Sequence, residues 1–338
     1  MTTSRELVIK TLRHESVKRT PRDVWYLQGI DIFRRDEFDK FIELYPLDFL
    51  KPKLNVPVSE REKPLVGLTG KYTDAWGCTW EVMQPGVIGE VKEPPLADWS
   101  ALEHYKLPYD VLDNTDYSQV NPICTTTDKF VLPGSSVRPF ERLQFLRGSE
   151  AVYLDLAYGS NEISTILEML HEYYVKELKM WAQTDVDGIS FMDDWGSQYA
   201  LLISPDMWRD MFKPLYKDYC DILHEKGKWV FFHTDGNVSA IYGDLIEVGV
   251  DAINSQLFCM DIEELGDKYS GKVTFWGEID RQEILPFGSV EDVRNAVRRV
   301  RNVLDKGSGG IIAQCEWGMD VPYENMVAVY DEWMKPLI

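Results

Sequence analysis

The sequence predicts an α/β fold: a closed (β/α)8 TIM barrel with an N-terminal insertion of short strands and loops. Three observations carry that reading. From residue 129 onward, short apolar runs alternate with stretches of helical spacing, the pattern of a parallel sheet. No glycine-rich phosphate loop follows the first strand, where an open doubly wound sheet would place one. About eight strand–helix units fit a chain of 338 residues.

Taken in order, residues 4–13 have helical spacing. Asp23–Leu27 follows Pro21 and reads as the first strand, and residues 31–45 as an amphipathic helix. Residues 51–127 break the pattern. They hold many prolines, Gly67, Gly70, Gly77, Gly86 and Gly89, and aromatics around Trp76 and Trp80. We read them as an insertion within one domain spanning 1–338, ordered because its aromatics need burial. The alternation then starts with a strand at Lys129–Pro133, helices at Glu150–Tyr158 and Asn161–Thr184, and a strand at Gly188–Met192. Pro205–Lys226 reads as one long helix, with Ser204 as its N-cap and Gly227 just past its end. Strands follow at Lys228–Phe232, Asp251–Ser255, Lys272–Trp276 and Gly310–Ala313. Helices at Ala240–Glu247, Asp261–Tyr269 and Ser289–Lys306 separate them, and Tyr323–Met334 is the last.

Composition removes whole classes of function. Lys and Arg number 36 against 56 Asp and Glu, a net charge of −20, so no field attracts nucleic acid. No apolar run reaches 18 residues, so no membrane span is expected. The first residues carry charges and no long apolar stretch, so no secretion leader is expected and the cytoplasm is the expected location. The five cysteines are widely spaced without a CxxC, which fits reduced thiols. The 11 Trp, 17 Tyr and 14 Phe suit a core and also a pocket for a flat, partly polar ligand.

In such a barrel the chemistry sits at the C-terminal strand ends. Those ends read Asp193-Asp194, His233-Thr234-Asp235-Gly236, Gln256 with Cys259 beyond, Gly277-Glu278-Ile279-Asp280, and Gln314-Cys315-Glu316. His233, Asp235, Glu278 and Cys315 are candidate metal ligands; a His, a thiolate and a carboxylate with one open position make a catalytic zinc set. Each has a plainer reading. Cys315 alone is an ordinary buried thiol, Asp193 and Asp194 could cap a loop, and Asp235-Gly236 could be a tight turn. A trio of Asp193, Cys220 and Cys259 is disfavoured, because Cys220 falls inside a helix. Adjacent acids on one strand end do not make a glycosidase pair, although Glu278 opposite Asp193 could.

Several segments together resemble the uroporphyrinogen decarboxylase superfamily. They are Tyr72-Thr-Asp-Ala-Trp76-Gly77 with Trp80, Pro139-Phe-Glu141-Arg142-Leu, and Met192-Asp193-Asp194-Trp195-Gly196-Ser-Gln198 with Ser204-Pro205-Asp-Met-Trp208. His233-Thr-Asp235-Gly236-Asn237, Gly277-Glu278-Ile-Asp280 and Pro322-Tyr-Glu324-Asn325 complete the set. The resemblance implies a (β/α)8 barrel and one of two activities. The decarboxylases carry an Arg-Gln-Ala-Gly-Arg-type segment after the first strand to hold propionates; here Trp25-Tyr26-Leu27-Gln28-Gly29-Ile30-Asp31 has no arginine. The cobamide-dependent methyltransferases hold zinc with a His-x-Cys pair and a later Cys. Here the pair is His233-x-Asp235 and the later thiol Cys315, with Glu278 able to stand in for Asp235; a further glutamate of related methionine synthases falls near Gln256. Fewer thiolates make a harder zinc that favours an oxygen substrate.

The resemblance therefore implies the substrate methyltransferase of an O-demethylase. It would pass the methyl group of an aromatic methyl ether to the cobalamin (corrinoid) of a separate corrinoid protein. Asp193, Asp194 and His233 are the expected catalytic residues. Trp25, Tyr26, Trp195 and Gln198 are the expected substrate contacts. A thiol or small-alcohol substrate, or a decarboxylase-like lyase, are the alternatives.

Overall fold

The computed structural model describes residues 2–335. The strands in chain order are β1 (Trp25–Tyr26), β2 (Phe49–Leu50), β3 (Gly70–Thr73), β4 (Thr79–Val82), β5 (Glu90–Glu93), β6 (Phe130–Val131), β7 (Gly188–Met192), β8 (Trp229–Thr234), β9 (Ala252–Ser255), β10 (Thr274–Trp276), β11 (Ile311–Ile312) and β12 (Glu316–Trp317). From β7 to β11 each strand pairs parallel with the next. A bridge from Gly134 to Ser190 joins β6 to β7, and β2 pairs with β6. The Asp48 N–H donates to the Arg22 carbonyl at 2.9 Å, which links β2 to the segment leading into β1. Pairing of β1 with β12 and a bridge from Arg22 to Ala313 close the ring. With β11 and β12 as two halves of the last strand, the result is the eight-stranded parallel barrel.

Two apolar layers hold it. Phe49, Phe130, Leu132, Phe231, Ala252, Trp276 and Ile312 fill the inside. The first helix, Ser4–Leu12, plugs the bottom with Val8 and Leu12. It is started by a Thr3–Glu6 capping box, and its Thr11 carbonyl accepts the N–H of Gly310 at the foot of β11. The outward strand residues, among them Ile189, Phe191, Val230, Phe232 and Ile253, meet the surrounding helices in the larger core.

Several elements differ from the expectation, each for a local reason. The second strand, Phe49–Leu50, is only two residues of ladder before the insertion and carries no alternation to read. Residues 31–45 are two helices, Gln28–Phe33 and Arg35–Leu44. The long helix expected over 205–226 is Pro205–Met211 followed by Lys213–His224. Pro214 has no N–H to bond back one turn, so the helix restarts there. Ser204 does accept the Met207 N–H, and Gly227 does take a positive φ of 66° past the end. Residues 51–127 hold the antiparallel meander β3–β4–β5, and also two helices, Tyr109–Asn114 and Val120–Thr126. A helix at Pro139–Arg147 was not read from the sequence. Among the described residues no helix is long and apolar enough to cross a membrane.

Candidate functional site

Successive side chains on a strand face opposite ways, and that parity sorts the strand-end residues. On β8, Phe231 belongs to the inner layer and Phe232 to the outer, so His233 and Asp235 continue inward. On β9 Ala252 is inward, and Asn254 follows it. On the last strand Ile312 is inward, Gln314 and Glu316 follow, and Ala313, Cys315 and Trp317 join the outer core. On β7, Ile189 and Phe191 face outward, which sends Asp193 outward and Asp194 inward.

The inward residues meet at the mouth. His233 Nε2 lies 3.7 Å from Asp194 Oδ1 and 3.4 Å from Asp235 Oδ1. Its Nδ1 contacts Asn254 Oδ1 at 2.6 Å. The Asn254 amide donates to the Trp276 carbonyl and, at 2.9 Å, to Gln314 Oε1, which fixes its oxygen toward the imidazole. Nδ1 must then be the donor, and the lone pair of a neutral His233 sits on Nε2, between the two carboxylates. Trp25 packs on the ring at 4.8 Å between centroids, and Trp276 packs edge-on against Trp25 at 5.0 Å. The loops after β7 and β8 are drawn together at two glycines: a Cβ on Gly236, with φ at 77°, would lie 2.2 Å from the Gly196 carbonyl. That contact lets the Asp235 N–H reach Asp194 Oδ1 at 2.9 Å.

A divalent metal fits between these three groups. Asp194, His233 and Asp235 offer ligand atoms all within 4.8 Å of one another. Asp235 Oδ1 is buried without a hydrogen-bond partner. The 3.4 and 3.7 Å separations exceed a hydrogen bond. They approximate the roughly 3.3 Å between neighbouring ligands of a tetrahedral ion held at about 2.0–2.1 Å. One imidazole and two carboxylates, with room for a fourth ligand, form a hard donor set.

Arg281 organises the far side. Its Nη2 pairs with Asp235 Oδ2, while Nη1 lies 3.1 Å from Glu316 Oε1 and 3.8 Å from Glu278 Oε1. A cavity of about 60 Å³ beside it is lined by Gln198, Gln256, Phe258, Cys259, Glu278 and Arg281, among others. Cys259 Sγ donates toward Gln198 and Gln256, both at 3.4 Å, and Gln256 Oε1 accepts the Gly236 N–H. Burial, with Asp235 nearby, pushes the Asp194 carboxyl up, and burial pushes Glu278 well above the usual range. Glu141, at the start of helix Pro139–Arg147, is raised to about 8 by burial and by the charge of Asp194.

Four expected residues lie elsewhere. Cys315 faces outward: its Sγ lies 3.9 Å from the Met326 sulfur, and burial pushes the thiol up. It stands outside the metal-ligand group, as does Glu278. Asp193 is 0 % exposed and accepts the N–H groups of Phe140 and Glu141 at 2.8 and 2.7 Å and the Tyr216 hydroxyl at 2.6 Å. It caps helix Pro139–Arg147 from below and presents nothing to the mouth; burial lifts its carboxyl to about 7 against the pull of those donors. Trp195 is also 0 % exposed, stacked on Phe140 at 4.3 Å with its Nε1 donating to Tyr216, so it walls the core. Tyr26 is next to Trp25 and therefore faces out, against Phe38. Asn254 and Arg281 were missed, and Glu316 was read only as part of a strand end; the inward parity of His233 carried to neighbouring strands finds Asn254 and Glu316, while nothing local marks Arg281.

The uroporphyrinogen decarboxylase (URO-D) family profile matches residues 73–335, and the chain belongs to that family. No curated protein sequence matches it significantly. Among solved structures, a methyltransferase from Methanosarcina mazei is similar, with a TM-score of 0.71 at 16 % identity over 98 % of each chain. A glycosylated endo-β-1,4-xylanase of glycoside hydrolase family 10 from Gloeophyllum trabeum reaches a TM-score of 0.47 at 9 % identity, over 96 % of this chain and 99 % of its own. The first likeness establishes the shared barrel fold; the second is too weak to argue from.

Proposed function

We propose that the protein is a methyltransferase that moves the methyl group of a methoxylated aromatic, of the vanillate or veratrole type, to the Co(I) corrinoid of a separate corrinoid protein. The observation that carries this reading is the group of His233, Asp194 and Asp235, gathered around one gap at the mouth of the barrel. Zinc is the ion we expect there; those three residues would hold it, and when bound it supplies Lewis acidity toward an ether oxygen. The fold shared with the Methanosarcina methyltransferase supports the reaction class.

The chain's own residues have definable tasks. Asn254 holds His233 in one tautomer and orientation. Arg281 fixes the second oxygen of Asp235, which leaves the first free. Trp25 gives the mouth a flat wall next to the imidazole. Gln198 and Gln256 place amide groups on the neighbouring cavity. A porphyrinogen, with its many carboxylates, is disfavoured as substrate. Residues 27–31, directly after β1, have no arginine, and Arg281 is already engaged by Asp235 and Glu316.

The test is methyl transfer with a panel of donors. The protein, a corrinoid protein reduced to Co(I), and guaiacol, veratrole, vanillate, methanol and methyl thioethers are combined, and loss of the Co(I) spectrum is followed. Transfer from the aryl ethers is the expected result. Transfer only from the thioether or methanol supports the thiol or small-alcohol alternative, and decarboxylation of a porphyrinogen without any corrinoid requirement would overturn the proposal. Metal analysis is separable: full activity after chelation removes zinc from the account.

A further inference from the structure

Lys51 stands at the end of β2 and has no task in the mechanism above. Phe49 belongs to the inner layer and Leu50 packs on the outer core, so parity turns Lys51 inward. Pro52 follows, and a residue before proline stays extended, which carries the alternation one residue past the ladder. The side chain is exposed, and its Nζ lies 5.4 Å from the centre of the Trp25 ring. Trp25 is the same indole that packs on His233 at 4.8 Å. Among the described residues Nζ forms no ion pair and no hydrogen bond. The acid that senses it is Asp23, two residues before Trp25. That carboxyl accepts from Trp276 Nε1 at 3.1 Å and feels Lys51 only through space. The neighbouring guanidinium groups each face an acid: Arg281 pairs with Asp235 and Glu316, and Arg138 Nη1 lies 3.8 Å from Glu141 Oε2. Arg281 and the divalent ion expected at Asp194, His233 and Asp235 answer the acids on that side of the mouth, Glu278 and Glu316 included. Lys51 is left as an inward, uncommitted cation beside a flat aromatic wall, which suits an anion carried on a flat ligand.

Resting on the proposed O-demethylation, we infer that Lys51 receives the ring carboxylate of a methoxylated aromatic acid. Acids of the vanillate type are then the preferred donors over neutral ethers such as guaiacol and veratrole. The ammonium and the imidazole share Trp25 as a neighbour, at 5.4 and 4.8 Å. One methoxybenzoate can therefore lie along that indole, its carboxylate about 2.8 Å from Nζ and its methoxyl group toward His233. The chain's net charge of −20 offers no general attraction to an anion, so a local cation must supply it. A single ammonium serves a single carboxylate, in keeping with a small ring acid and not with a porphyrinogen. A charge-assisted contact of this kind is worth about 10–100-fold in affinity.

The test sets vanillate, its methyl ester and guaiacol against wild type, K51M and K51R. Binding is read by titration calorimetry without any corrinoid protein, and turnover by loss of the Co(I) spectrum. Wild type is expected to bind vanillate at least about 10-fold more tightly than the ester. K51M should lose about 10–100-fold on vanillate, in Kd and KM rather than in kcat, and only a few-fold on the ester. K51R keeps the charge and should recover part of that loss. Added salt should weaken vanillate binding to wild type more than to K51M. Equal affinity of wild type for vanillate and its ester overturns the inference, and needs no variant to fold. An equal loss on both ligands in K51M also overturns it, and leaves Lys51 as cover for Trp25 and Asp23. Failure of the underlying reaction reads differently. Lys51-dependent binding of vanillate without methyl transfer from any of the three ethers overturns O-demethylation, and the choice of donor with it. Transfer from guaiacol and the ester as readily as from vanillate overturns the role of Lys51 alone.

Discussion

Asp193 and Asp194 are neighbours in the chain and belong to different regions of the molecule. Asp193 points out of the barrel, where two backbone N–H groups and the Tyr216 hydroxyl hold it in the core. Asp194 points into the mouth, 3.7 Å from His233, with its carboxylate turned toward a gap. The outward face of the strand ends is satisfied and closed. The inward face is crowded with like charges, short of donors, and open at Asp235 Oδ1. The same residue type thus serves stability on one side and is available for chemistry on the other. Strand parity makes that choice.

That contrast can be broken by mutation on either side. The largest expected effect is on the inward side. His233→Ala should abolish metal retention and cost at least about 10³-fold in methyl transfer, about 4 kcal/mol of barrier, with the protein still folded by circular dichroism. Metal analysis beside a rate assay checks it, and a variant that keeps both metal and rate would refute the site. Next comes the outward side. Asp193→Ala strands two amides and a buried hydroxyl, and should cost about 3 kcal/mol or more of stability, read from the urea midpoint. Asp194→Asn should leave that midpoint nearly unchanged. If the two variants behave alike, the contrast between the two faces is wrong.

A third expectation concerns pH. Asp193 and Glu141 have folded values raised to about 7 and about 8. For an acid raised on folding, the folded state keeps a proton that the unfolded chain has released. Stability is therefore fully present below the unfolded value and falls as pH rises through the folded one. The chelated protein should lose stability from about pH 5 to pH 8, by about 1.4 kcal/mol per pH unit for each retained proton at most. Thermal melts across that range check the sign, and a rise in melting temperature over it would contradict the buried-acid reading. The smallest effect belongs to Cys315. Cys315→Ser should cost about 1 kcal/mol through a buried hydroxyl and leave metal content and rate unchanged. Loss of metal from that variant would return Cys315 to the ligand set.

Much of the fold was legible because its signals are local. The run Gly188–Met192, the strand leading into His233, and helix ends marked by Ser204 and Gly227 needed only period and cap chemistry. The two-residue strand Phe49–Leu50 and the break at Pro214 were not legible by period, since one is too short and the other lies inside an apolar pattern. The site was half legible. His233 and Asp235 follow an apolar strand directly, and the structure places both at the mouth. Cys315 and Trp195 were misplaced because strand ends were read as sets rather than as alternating positions. Arg281 comes from a loop beyond β10, and its partners Asp235 and Glu316 lie 46 and 35 residues away in sequence.

The sequence by itself determined the barrel and the chemical inventory of its mouth. The order of apolar runs and caps requires strands and helices in alternation, and the residues after each strand are simply there to be read. Only the tertiary structure decided which of them meet. Closing the ring sets the parity of every strand against a common axis, so Asp194, His233 and Asp235 converge while Asp193 and Cys315 turn away. It also decided what surrounds each of them. Burial and a single shared guanidinium set what each acid at the mouth can do, and both depend on neighbours distant in the chain.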